Sequence, residues 1–269
     1  MPLSLADNSP QFWAPIQPIR DHLSERFKSQ PVLEIGPDQI PLECSTHFID
    51  CADDTTHPET SRVDIDVDRF PYTDKQFELV YARHVLEDIQ NPDHAFAEMV
   101  RVARNGHIET PSPIAECSLG MESPAFRGYI HHRYIVWTEI DTHTLCFLPK
   151  YPIIEHILFD SINTDALNSP LYWNNYYEWS YTQPPKIRVY KNGVNFNIIE
   201  EYCYLLNTAM EQSFQHTHKL GLSLLNEKNS LFNVCFRILK NSTNIHTIQG
   251  CFHVVLFDCM FPVRPDCYR

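Results

Sequence analysis

Five short apolar runs, each handing over to a glycine, an acid or a polar turn, constrain this chain more than any other feature. Val32-Leu33-Glu34-Ile35 follows Pro31 and runs into Gly36. Thr46 to Asp50 and Arg62 to Asp66 each end in an acid, Phe77 to Tyr81 leads to Ala82, and Gly106 to Glu109 stops before Pro111 and Pro113. They recur at intervals of 15 to 30 residues with polar or helical connections. That pattern predicts an α/β protein with a doubly wound, mainly parallel sheet. Helices are expected over Ile16 to Phe27, where Ile16, Ile19, Leu23 and Phe27 share one face, and over His94 to Val102. Ligands of such sheets bind at the carboxyl ends of the strands, near the reversal of strand order. Gly36, Asp50, Asp66, Ala82 to His84 and Glu109 are therefore expected to be neighbours in space.

Composition narrows the functions. The chain has 269 residues, 43% of them hydrophobic and 20% charged, which suits one large globular domain or one domain with an appendage. Its formal net charge of −13 repels phosphate backbones and anionic lipid surfaces, so neither nucleic acid nor membrane is the expected partner. The first residues show no basic-then-apolar leader, and no apolar run is long enough to span a bilayer, so a cytoplasmic protein is expected. The 9 cysteines are odd in number and form no C-x-x-C pair, which predicts reduced, mostly buried thiols rather than a disulfide framework or a zinc finger.

The run Val32-Leu33-Glu34-Ile35-Gly36-Pro37 resembles the glycine loop of class I S-adenosylmethionine-dependent methyltransferases. A longer stretch is similar to the same family: Asp66-Val67-Asp68-Arg69-Phe70-Pro71-Tyr72-Thr73-Asp74-Lys75-Gln76-Phe77-Glu78-Leu79-Val80, continuing through Tyr81-Ala82-Arg83-His84-Val85-Leu86-Glu87-Asp88. Asn91-Pro92 then precedes the helix, and Arg101 to Gly106 leads into the fifth strand. The resemblance implies a Rossmann-like, seven-stranded-type sheet and S-adenosylmethionine as cofactor. It puts Glu34 on the methionine amino group, Gly36 and Pro37 under the cofactor, and Asp50 on the ribose hydroxyls. Asp66 and the Val67 N–H fall beside the adenine, and Ala82, Arg83 and His84 line the floor below the sulfonium.

Beyond Pro113 the texture changes. Arg133 to Trp137 and Thr144 to Leu148 read as two strands about a turn at Asp141-Thr142, and Ile153 to Phe159 as helical. Ile187 to Tyr190 and Val194 to Phe196 flank the hairpin signal Asn192-Gly193. Tyr202 to Leu220 reads as a helix, and Leu231 to Leu239 and Cys251 to Phe257 as late strands. The chain is accordingly divided into an N-terminal arm and helix (1–30), a cofactor-binding core (31–113), and a segment (114–269) that supplies the acceptor pocket and completes the same domain.

Insertions after the fourth and fifth strands of the family usually form the acceptor pocket. Glu109, Arg127, His132 and Trp137 are the expected substrate residues, and His84 and His131 the candidate general bases, since imidazole titrates near neutrality. A His-His pair also suits a metal, but no third and fourth ligand stands at a characteristic spacing, so none is expected. Glu87 and Asp88 read as a solvated helix face. The expected activity is O- or N-methylation of a small-molecule or sugar-like acceptor. Pro37 and Asp38, where further glycines are usual, motivate an alternative: a degenerate methyltransferase-fold protein that binds a ligand or partner without catalysis. A nicotinamide-dependent dehydrogenase ranks below both for want of a G-x-G-x-x-G helix start.

Overall fold

The computed structural model of the chain describes residues 16–37, 40–51, 60–159, 170–190, 199–226 and 254–256. The central sheet is built from β1 (Val32–Ile35), β2 (His47–Asp50), β3 (Thr60–Arg62), β4 (Phe77–Arg83), β5 (Ala103–Pro111) and β9 (Asn174–Trp179). Its order is β3-β2-β1-β4-β5-β9, parallel throughout except for β9, which runs antiparallel to β5. The mixed α/β architecture and the mainly parallel sheet are those expected. Among the described residues the sheet has six strands, and the order reverses between β1 and β4.

Three further strands make a second sheet. β6 (Tyr134–Glu139) and β7 (Thr144–Pro149) form the hairpin that the sequence predicts, and β10 (Lys186–Val189) adds parallel to β7. β8 (Ile157–Phe159) pairs antiparallel with β11 (Val254–Leu256). Where the sequence predicts one helix over Ile153 to Phe159, Pro152 opens a single 3-10 turn (Pro152–His156) that passes directly into β8. The hairpin signal at Asn192-Gly193, the strands expected at Val194 to Phe196 and Leu231 to Leu239, and Asp38 lie outside the described residues.

Both faces of the central sheet are covered. Helix α1 (Gln17–Arg26), with Pro18 in its first turn, lays Ile19 and Leu23 on Val32, Leu79, Tyr81 and Tyr176. Helix α2 (Pro92–Val102) lays Phe96 and Met99 on the opposite face, against Val80 and Ile108. The second sheet joins α2 there through Val136, Leu145 and Phe147. The other face of the hairpin, with Ile135, Trp137, Cys146 and Leu148, packs on the short helix α3 (Pro113–Cys117) and the long helix α4 (Ile199–Asn226). The hairpin is thus a middle layer between sheet and helix.

Much of the crossover work is done by loop. The residues described between β3 and β4 contain no helix; Arg101 on α2 instead pins this stretch, donating to the Phe70 and Tyr72 carbonyls at 3.0 and 2.7 Å and pairing with Asp74 and Glu98. The third strand is shorter and earlier than its sequence suggests. Val63 and Ile65 alternate inward, but Asp64 Oδ1 accepts from the Asp66 N–H at 3.0 Å and Asp68 Oδ2 from the Asp64 N–H at 2.9 Å, which turns the chain away from the sheet.

Candidate functional site

The reversal of strand order brings the ends of β1 and β4 side by side. Ile35 is in register with Ala82, and Gly36 follows with φ of +64°. A side chain at Gly36 would meet Val85 Cγ2 at 2.6 Å, so the backbone here passes closely over the β4 exit. Glu34, beneath it, is buried. Its Oε2 accepts from the Leu42 N–H at 2.8 Å and the Ser45 hydroxyl at 2.6 Å, while Arg20 donates to the Ile40 and Pro41 carbonyls. Glu34 therefore holds the loop that covers the strand ends, a task its expected role on an amino group would have to share.

Asp50 closes β2 at the same edge. Asp66 stands on the turn beyond β3, where its Oδ1 accepts from the N–H groups of Gln90 and Asn91 at 2.8 and 2.7 Å. The carboxylate thus fixes the entry to α2. Val67 is 69% exposed.

His84 lies just past β4 with φ of +52°, not at a helix start. Its N–H donates to the Glu109 carbonyl at 2.9 Å, and its Nε2 meets Asn174 Oδ1 at 2.8 Å. Burial, reinforced by the adjacent Arg83 charge, pushes its pKa down to about 4. An imidazole this hard to protonate is poorly matched to general-base work near neutrality. Glu109 is sealed rather than open to a pocket: its carboxylate lies 3.2 Å from His107 Nε2 and 3.5 Å from Arg83 Nε. Burial alone would raise the Glu109 pKa, but the His107 hydrogen bond and the charges around it hold it below the usual value. His107, whose other nitrogen meets Glu178 at 2.8 Å, and Glu178 itself are members of this network that the sequence did not single out. Strand alternation could have found them, since Glu34, Tyr81, His107 and Glu178 stand in one row across β1, β4, β5 and β9.

The segment after α3 docks on the β4 exit: the N–H groups of Arg133 and Tyr134 both donate to the Glu87 carbonyl. Here the expectation of a solvated helix face for Glu87 and Asp88 is corrected. Both sit in the turn before α2; Glu87 is 1% exposed, and neither of its side-chain oxygens has a hydrogen-bond partner among the described residues. Arg127 is spent on holding its loop, with Nη1 and Nη2 donating to the Cys117 and Ile157 carbonyls. Trp137 lies in the core between hairpin and α4, stacked on Tyr190, rather than on a pocket wall. His131 is exposed, while His132 is buried with its Nδ1 donating to Glu116 at 2.6 Å. An open groove of about 830 Å³ runs past both histidines, bounded by Asn91 and Pro92 on one side and Lys150, Tyr151 and Tyr190 on the other. So the structure gathers Gly36, Ala82, Arg83 and His84 at one sheet edge and His131 and His132 at the adjoining groove, while Arg127, Glu109 and Trp137 serve the framework.

Residues 29–108 match the family model described as a methyltransferase domain. This segment is similar to a methyltransferase domain. It holds β1 through most of β5 and both walls of the strand-order reversal. No curated protein matches the chain. Among solved structures, the [4+2]-cyclase SpnF is 19% identical, with a TM-score of 0.28 over 35% of this chain and 44% of its own. An S-adenosylmethionine-dependent methyltransferase from Aquifex aeolicus is 12% identical, with a TM-score of 0.27 over 35% of this chain and 64% of its own. One from Mesorhizobium loti is 12% identical, with a TM-score of 0.29 over 49% and 63%. The match thus spans less than two thirds of each of these structures, and likeness at this level decides nothing about activity. Among the described residues no helix is long and apolar enough to cross a membrane.

Proposed function

We propose that the chain is an S-adenosylmethionine-dependent methyltransferase whose acceptor is a small molecule or sugar-like compound taken up in the groove beside His131 and His132. The observation that carries this reading is the coincidence of the strand-order reversal, the tight Gly36 turn and the methyltransferase-domain match in one segment. The residues fit the cofactor: Gly36 makes a tight positive-φ turn with no room for a Cβ against Val85, Asp50 offers a carboxylate to a ribose diol, and Ala82 and Arg83 leave β4 below the same turn. Gly36, Pro37, Asp50, Val67, Ala82 and Arg83 would hold it, with Asp66 acting on Val67 through the turn it anchors. When bound, S-adenosylmethionine supplies an electrophilic methyl group. The chain's part is to align the acceptor and exclude water, the main source of acceleration in such a displacement.

Proton removal separates two versions. His84 is held neutral and Glu109 is sealed by His107 and Arg83, so an amine acceptor, which needs no essential base, suits this edge better than a hydroxyl. The same features favour the second reading, a methyltransferase-fold protein that binds without catalysis. Calorimetry with S-adenosylmethionine, S-adenosylhomocysteine and NAD tests the cofactor. Binding of the first two and not the third is expected; binding of NAD alone, or of none, defeats the proposal. A chain that binds S-adenosylhomocysteine but yields no methylated product from a library of small amines and hydroxyl compounds supports the second reading.

A further inference from the structure

His131 and His132 have a third companion that the sequence conceals. Asp88, from the turn between β4 and α2, lies with its Oδ2 3.9 Å from His131 Nε2 and its Oδ1 3.8 Å from His132 Nε2. One ligand-type atom from each residue falls within 4.8 Å of the other two. The orientation of His132 is fixed by its far side. Its Nδ1 donates to Glu116 Oε1 at 2.6 Å, and Glu116 is itself held by Lys150 Nζ at 2.5 Å and by the close passage of Gly128, where any Cβ would strike it. With Nδ1 engaged by Glu116, Nε2 is the ring atom turned toward Asp88. Asp88 Oδ1 is buried and has no hydrogen-bond partner among the described residues. The two atoms thus face each other at a separation too long for a hydrogen bond and suited to a shared cation.

We propose that Asp88, His131 and His132 form a binding site for a divalent transition-metal ion of the zinc type. Two imidazoles and one carboxylate are a donor set that such ions accept, and an imidazole backed by a carboxylate is the usual support for a metal-ligating histidine. Metal–ligand bonds of about 2.0–2.2 Å place neighbouring ligands roughly 3.3–3.5 Å apart in a tetrahedron, so closing the site requires each histidine to draw about half an ångström nearer Asp88 and all three atoms to contract from within 4.8 Å of one another. His131 is exposed and gives the ion a way in. Glu122 steadies that side: its Oε2 accepts from the Ile130 N–H at 2.7 Å, and its Oε1 lies 3.7 Å from His131 Nδ1. Three protein ligands leave a fourth position, and both histidines line the groove. Neither the ion nor its ligands depend on methyl transfer.

The test uses the full chain, stripped with chelator and dialysed. Titration with Zn²⁺ alone is expected to give one tight equivalent, and Co²⁺ in its place visible bands of low-symmetry coordination. Asp88→Asn and His131→Ala should each abolish tight binding and the Co²⁺ bands while the far-ultraviolet spectrum stays native. Glu116→Gln should weaken binding by roughly 10–100-fold, as loss of a supporting carboxylate does. His156→Ala, at an exposed histidine away from the cluster, should change nothing. Absence of a tight equivalent in the unaltered chain, or its survival in folded Asp88→Asn and His131→Ala, overturns the proposal and leaves an ion-pair network that ties the groove together. S-adenosylhomocysteine titrated into the same variants reads the cofactor site separately, so failure there and failure here are distinguishable.

Discussion

Gly36 adopts φ of +64° directly above Val85, a conformation that costs an L side chain roughly 1–2 kcal/mol before any clash is counted. Gly36→Ala should therefore lower stability by at least that amount in urea unfolding. In chain that remains folded, it should reduce S-adenosylhomocysteine affinity by pushing the turn away from the β4 exit. Wild-type affinity in that variant would remove Gly36 from the cofactor cradle. His107 gives a residue-scale prediction of a different kind. Burial alone would depress its pKa, but the hydrogen bonds and charges of Glu109 and Glu178 outweigh burial and raise it to about 9. Glu178 is half exposed, so water screens its share and the fully buried Glu109 is the partner that matters. A folded-state pKa above the unfolded value of about 6.5 gives stability that is complete below that pH and is lost as pH rises toward 9. His107→Gln keeps a hydrogen-bonding side chain without the charge. It should cost about 2 kcal/mol at pH 6 and flatten the decline between pH 6.5 and 9. Urea midpoints at the two ends of that window check this, and an unchanged slope would mean that His107 is neutral in the fold.

At the scale of elements, the edge strand β9 is held by one missing side chain. Gly106 in β5 is in register with Trp179, and a Cβ there would sit inside the indole ring. Trp179 packs against Phe96 of α2 and Tyr177, so Gly106→Ala forces it off both. Overpacking of this kind costs about 1–3 kcal/mol. The variant should show a changed tryptophan emission, and Gly106→Ala/Trp179→Leu should recover part of the loss; a fully additive double variant would contradict the coupling. β9 also marks where the sequence stopped being legible. β1, β2, β4 and β5 follow from apolar runs beside glycine, proline or acid, and the helices α1 and α2 from their periodicity. Asn174 to Trp179 carries neither signal: its aromatics fall on both faces because both are buried, and such a run reads equally as core or as pocket wall. The candidate site divides along the same line. Residues placed by a strand end, Gly36 and Ala82 to His84, could be read directly. Asp88 could not, because its neighbours His131 and His132 arrive on a loop from beyond β5, and that docking rests on backbone bonds to the Glu87 carbonyl rather than on any local pattern.

For the molecule as a whole, the hairpin of β6 and β7 decides how many units unfold. Val136, Leu145 and Phe147 belong to the central-sheet core, whereas Ile135, Trp137, Cys146 and Leu148, their alternate neighbours on the same two strands, belong to the core under α4. Strand alternation thus makes one pair of strands the shared wall of two hydrophobic clusters. β9 binds the layers again from the side, with Thr138 Oγ1 of β6 donating to the Tyr176 carbonyl at 2.8 Å and the Thr138 N–H donating to Asn175 Oδ1 at 2.8 Å. Neither cluster can lose its hairpin face without uncovering the other, so the described core should unfold as one cooperative unit although it draws on more than one sheet. Phe147→Ala, on the central-sheet side, and Leu206→Ala, on the α4 side, should each cost about 2–5 kcal/mol. Both should shift the midpoints of far-ultraviolet circular dichroism and tryptophan emission together, because one transition is being moved. If Leu206→Ala instead splits the curve, with the α4 cluster melting first while the emission of Trp179 holds, the hairpin is a hinge between two separable units. The groove beside His131 and His132 would then open with the α4 layer rather than belong to the rigid core.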